Sequence, residues 1–316
     1  MFSDDLIALA LKLLSCSQKD LASDLNVSPT QISKWKRGEY MSQDMEELIR
    51  QKLGIGDLNP SFILLAGSVD NTAKWQKLIS YMAGLAAEYT ETGYVAAPAL
   101  VEETEFLACE VIQLFVDMGV KIPDQFPSEL DVDFDDDEND GDIDELLYNN
   151  PYTIAIKKIF NALNDVYGFY VAYIDDLMMN DSLELYDTDA VNIEPGLLSL
   201  AATKVDMDIS FAPKFREFVF QTNNEYTGWI NTVKNKAFQA GIPLRAELLN
   251  LVYKGHDELG HEAEAESLGI NNNRIHPDIY MNEILTGIRL IHQVLPKIME
   301  KLEIDDFVVD NSDLRL

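Results

Sequence analysis

Thr30, Gln31, Ser33 and Lys34 sit close together in a stretch whose spacing predicts a short helix. Side chains of these types can donate to or accept from the edges of DNA bases, and lysine can donate to guanine. Lys36 and Arg37 follow at the end of the stretch, where a positive charge can meet phosphate. Between Ser28 and Tyr40, three bases face one acid, Glu39, a local charge of +2. The whole chain has 55 acidic and 24 basic residues in 316, a net charge of −31. Bulk charge therefore excludes coating of nucleic acid or of anionic membranes, and any contact with DNA must be made by a local surface.

Two helices are expected to position these residues. Ser17 can cap the first, with Asp20 three residues on as the reciprocal acid. Leu21, Ala22 and Leu25 share its buried face, and Ala22 is small where two helices cross. Asn26 falls where the helix must end in a left-handed residue, and Val27 plugs the turn. Ser28 caps the second helix, Pro29 takes its first turn and Gln31 completes a second capping box. Ile32 and Trp35 face inward, and Gly38 ends the helix. A rigid, capped helix with a polar outer face is what insertion into a major groove requires.

Gln18, Leu21, Ala22, Leu25, Val27, Ser28, Ile32, Ser33, Trp35 and Gly38 together resemble the lambda-repressor-like helix-turn-helix of the XRE/Cro type. The resemblance covers residues 1–55, about a sixth of the chain, and implies a five-helix DNA-binding domain. It implies that Gln18 touches phosphate, that Thr30, Gln31, Ser33 and Lys34 face the groove, and that Lys36 and Arg37 lie near the backbone. Ser28 belongs to the same surface as the cap of the recognition helix. Asn26 replaces the usual Gly, and Lys36 stands where an acid commonly follows the Trp.

Other clusters carry less. Glu129 to Glu145 holds eleven carboxylates and no base, which reads as a solvated linker. Asp136, Glu138, Asp140 and Asp142 fall at calcium-loop spacing around Gly141, but Leu147 occupies the place of the closing Glu. The run could also mimic phosphate and compete with DNA for Lys34, Lys36 and Arg37. His256 and His261 are five apart and share no helix face, whereas Asp257 and His261 do; a two-ligand metal site is conceivable there, but the segment lacks the His-Glu-x-x-His arrangement of zinc hydrolases, and an exposed polar helix is expected. The aromatic run Tyr167, Phe169, Tyr170 and Tyr173 reads as core. Cys16 and Cys109 are too few for a disulfide framework, and a reducing cytoplasm is the simplest setting. No phosphate-binding glycine loop or nucleophile elbow is present, and neither an enzyme nor a cofactor is expected.

Apolar periodicity predicts an all-α chain, with a short strand conceivable within 182–210. The expected division is a helix-turn-helix domain at 1–57, a helical segment at 61–127, an acidic linker at 128–147 and a helical dimerisation and partner- or effector-binding domain at 150–304. No apolar run is long enough to span a membrane. The expected function is that of a sequence-specific regulator, a repressor bound to a palindromic operator as a homodimer. The alternative is an antitoxin-like or phage-conflict protein whose acidic helical part binds another protein.

Overall fold

The computed structural model describes residues 3–102, 104–134, 146–270 and 277–302. Among them every regular element is helical, as expected. The strand conceived within 182–210 does not form. Asn180 and Thr188 fold their side chains onto nearby backbone N–H groups and tighten the chain into short 3-10 turns. Such local side-chain bonds compete with any ladder.

Four helices surround the first core: α1 (Ser3–Leu13), α2 (Gln18–Asp24), α3 (Pro29–Trp35) and α4 (Gln43–Leu53). Leu6, Leu9, Leu21, Ala22, Leu25, Ile32, Trp35 and Ile49 meet there as the periodicity predicts. Leu13, Leu14 and Leu48, which share the apolar spacing, stay exposed at the edges. The fifth helix, α5 (Pro60–Ala66), lies beyond the Gly54–Gly56 break. It serves two cores: Ile63 belongs to the first, while Phe62 and Ala66 belong to the second.

The second core is built on α6 (Val69–Glu88), α7 (Pro98–Val101), α8 (Thr104–Asp117) and the long α9 (Pro151–Tyr173). Phe169, Tyr170 and Tyr173 are buried along α9, with Phe160 two turns earlier, so the aromatic run is core. α10 (Asp175–Met178), α11 (Leu197–Thr203), α12 (Phe215–Gln239), α13 (Asn250–Tyr253) and α14 (His256–Ser267) complete the body. α13 and α14 are separated by Lys254 and Gly255, where the backbone becomes extended. α15 (Pro277–Lys301) comes last.

Part of the expected 128–147 linker is folded. Leu130 is buried, Phe134 stacks on Tyr81 at 4.7 Å, and Asp131 and Asp133 each sit 2.8 Å from a lysine of α6, Lys74 and Lys77. Two lysines and an aromatic ring offset the repulsion among the first carboxylates, which composition alone does not reveal. The calcium-spaced residues Asp136, Glu138, Asp140 and Asp142 lie outside the described residues.

Candidate nucleic-acid interface

The turn between α2 and α3 forms through local hydrogen bonds. Ser17 accepts from the Asp20 backbone, and the Asp20 carboxylate accepts from the Ser17 N–H at 3.1 Å, a complete capping box. Asn26 takes a φ of +55°, the left-handed conformation expected of it. Ser28 Oγ accepts from the Gln31 N–H at 3.2 Å, and Pro29 opens α3. Of the second box, only this Ser28 half forms. Caps of this kind stabilise a helix by about 1 kcal/mol each, which matters for a helix of seven residues.

The far end of α3 is held equally firmly. Trp35 is 5% exposed and donates from Nε1 to the Tyr40 carbonyl at 3.1 Å. Ser3, on α1, donates to the carbonyls of Trp35 and Glu39 at 2.9 and 2.6 Å. Gly38, at φ +81°, turns the chain away. α3 is thus fixed at both ends against the first core.

The eight residues singled out from the sequence lie on α2, on α3 and at the ends of α3, and they are not equivalent. Ser28, Thr30, Lys34, Lys36 and Arg37 are exposed, or nearly so. Gln18, Gln31 and Ser33 are more enclosed. Ser33 Oγ lies 3.3 Å from Gln18 Oε1 and 3.1 Å from the Pro29 carbonyl, so it links α3 to the start of α2. Glu39 is the residue that sequence reasoning counted but did not place. Its carboxylate lies 3.2 Å from Arg37 and 3.8 Å from Lys34. It engages two of the three cations in the patch, and the only sequence signal for this was that the three residues lie within six positions of one another.

Residues 1–55 carry seven bases and eight acids, a net charge of −1, against −31 for the whole chain. The acidity is concentrated in the rest of the chain. The polar face of α3 can therefore approach a polyanion without the repulsion that the chain as a whole would impose.

The helix-turn-helix family matches residues 7–51 of the chain, which spans α2, the turn and α3. No curated protein and no solved structure matches it. The N-terminal region is a helix-turn-helix of the XRE type, the class found in DNA-binding transcription regulators. No helix among the described residues is long and apolar enough to cross a membrane.

A second cluster lies in the body. A cleft of about 370 Å³ between α9 and α14 is lined by Glu91, Asp165, His256, Asp257, His261 and Glu264, among others. His256 was expected on an exposed helix. Instead its side chain is 27% exposed, with Nδ1 at 2.7 Å from Asp165 and 3.3 Å from Asp257. Asp165, 91 residues earlier, gave no signal in the sequence. Gly260 makes the approach possible, because a Cβ there would fall 2.3 Å from Asp165 Oδ1. His261 bonds the Asp257 carbonyl at 2.6 Å, which follows from their shared helix face. Cys109 is a poor nucleophile, since burial pushes its thiol up to about 11.

The hydrogen bond to Asp165 holds the His256 pKa above its usual value. A raised folded-state pKa contributes stability that is fully present below the unfolded value, about 6.5, and is lost as pH rises through the folded value. The wild-type chain should accordingly exceed Asp165→Asn in stability by more at about pH 5 than at about pH 9. Urea midpoints for both proteins at each pH test this, and an equal gap at the two pH values would refute it.

Proposed function

We propose that the chain is a sequence-specific transcription regulator that represses by occupying a palindromic operator, with two copies reading the two half-sites. The observation that supports this most is α3 itself: a helix capped at one end, pinned at the other, and polar on the face it turns outward. Thr30, Gln31 and Lys34 are assigned to base edges, with Lys36 and Arg37 on the phosphates. Gln18 meets phosphate at the start of α2, and Ser33 orients Gln18 through their hydrogen bond. Ser28 keeps the N-terminus of α3 in register. One small domain touches few phosphates, and two half-sites about 34 Å apart supply the rest of the affinity. A cytoplasmic location with the nucleoid accompanies this reading. The body beyond α5 is far larger than pairing requires, which favours an additional protein or small-molecule effector.

Binding titrations on the promoter of the chain's own gene and on a scrambled duplex test the proposal. Tighter binding to the promoter supports it, and equal affinity for both overturns it. A gel shift with and without a co-purifying protein separates it from the antitoxin-like alternative, in which the partner and not the DNA dominates.

Glu39 supplies a further expectation. Its carboxylate competes with phosphate for Lys34 and Arg37. Exposed pairs of this sort are weak, so Glu39→Gln should tighten binding to random duplex by roughly two- to fivefold at low salt. The gain should vanish at high salt, where the pairs are screened. Filter-binding curves over a salt series would show it, and an unchanged low-salt affinity would count against it.

A further inference from the structure

The cleft between α9 and α14 joins an imidazole to two carboxylates from distant parts of the chain. Asp165 lies within α9, while His256 and Asp257 open α14. His256 Nδ1 sits 2.7 Å from Asp165 Oδ2 and 3.3 Å from Asp257 Oδ1. One donor atom from each of the three lies within 4.8 Å of the other two. The side chains of His256 and Asp165 are 27% and 24% exposed, so protein replaces most of the water that would otherwise hydrate them.

We propose that Asp165, His256 and Asp257 bind a divalent metal ion of the Zn²⁺ type. Zn²⁺ takes imidazole nitrogen and carboxylate oxygen at about 2.0–2.2 Å, which sets neighbouring donors of a tetrahedral shell roughly 3.3 Å apart. The separations of 2.7 and 3.3 Å around Nδ1 are close to that spacing. An ion therefore needs the Asp165–His256 pair to open slightly and neither helix to move. The nitrogen donor sets this site apart from one for Ca²⁺ or Mg²⁺, which take oxygen alone.

The cleft supplies the charge that a dication needs. Glu91, Asp165, Asp257 and Glu264 are among its lining residues, which include neither lysine nor arginine. A protonated His256 would offset only one of these four carboxylates. The N-terminal end of α14 opposes a cation, but its dipole amounts to only about half a charge. Gly260 orients the Asp165 carboxylate. Oδ1 lies 2.3 Å from where a Cβ at 260 would stand, so the group rests against α14 with Oδ2 toward Nδ1. Three protein ligands leave a coordination position free, and a cleft of about 370 Å³ opens it to water or a small anion. The site does not depend on the DNA-binding proposal, since α9 and α14 pack in the second core and α3 in the first.

Calorimetric titration of the full chain with Zn²⁺ tests it without DNA. The buffer carries excess Ca²⁺, which occupies oxygen-only sites on so acidic a surface. The wild type should show a Zn²⁺ site that Ca²⁺ does not displace. Losing even a group that supports a ligand weakens metal binding about 10–100-fold, so Asp165→Asn, His256→Ala and Asp257→Asn should each weaken this site at least tenfold. The Asp257 side chain is 84% exposed, so Asp257→Asn leaves the packing of the body intact. Zn²⁺ should raise the thermal transition of the wild type and leave that of Asp257→Asn nearly unchanged. Glu258→Gln should keep the wild-type affinity, because Glu258 does not line the cleft and pairs with Lys254. Zn²⁺ binding that excess Ca²⁺ abolishes, or that the three variants retain, would overturn the proposal. An equal loss in Glu258→Gln would overturn it too.

Discussion

Trp35→Ala is expected to unfold the first core and abolish binding to every DNA sequence. The indole is 5% exposed, belongs to the core of Leu21, Ala22, Leu25 and Ile32, and donates to the Tyr40 carbonyl. Truncating a buried tryptophan costs about 3–5 kcal/mol, from the transfer energy forgone and the cavity left behind. A unit of this size is stable by only a few kcal/mol, at roughly 0.05–0.15 kcal/mol per residue. The two quantities are comparable, so the folded population should collapse. The second core does not include Trp35 and should keep its own transition. α5 contributes to both cores, so the second transition should fall slightly rather than stay fixed. Calorimetry would resolve the two, and Trp35→Phe should recover part of the loss. A Trp35→Ala protein with unaltered operator affinity would remove α3 from the interface.

The second large effect separates reading from holding. Thr30 and Lys34 are exposed and one helical turn apart on α3. Alanine at either should cost about 1–3 kcal/mol on the operator and relax preference at one or two base pairs. Lys36 and Arg37 follow the helix and are also exposed. Alanine there should weaken operator and random DNA alike. It should also flatten the salt dependence by about one unit for each phosphate that is no longer neutralised. Arg37 should show less than this in the wild-type background, because Glu39 already holds it at 3.2 Å. Titrations on operator and scrambled duplexes at several salt concentrations distinguish the classes. Equal losses on both duplexes for Lys34→Ala would move Lys34 from the bases to the backbone. Ser33→Ala should resemble loss of Gln18, since the two side chains are linked.

The helix-turn-helix was legible residue by residue because its determinants are local. A cap joins residues three apart, a left-handed turn needs Asn26, and the inward positions recur at helical spacing, all within 22 residues from Ser17 to Gly38. Local spacing misled where it competes with packing. Leu13, Leu14 and Leu48 have the apolar spacing but stay exposed at the edge of the first core. The acidic run looked uniform, yet its first part lies on α6 because Lys74 and Lys77 project there.

By itself, the sequence determined the all-α class, the capped helix-turn-helix with its inward Ile32 and Trp35, and a local positive patch on an acidic chain. Only the tertiary structure decided that Ser3 pins the end of α3, that Ser33 turns to Gln18, that Glu39 occupies Lys34 and Arg37, and that Asp165 meets His256 across 91 residues. The physical reason is distance along the chain. Backbone caps and periodicity are fixed by residues within a turn or two. An ion pair between α9 and α14 exists only where packing brings two helices together, and Gly260 leaves it room.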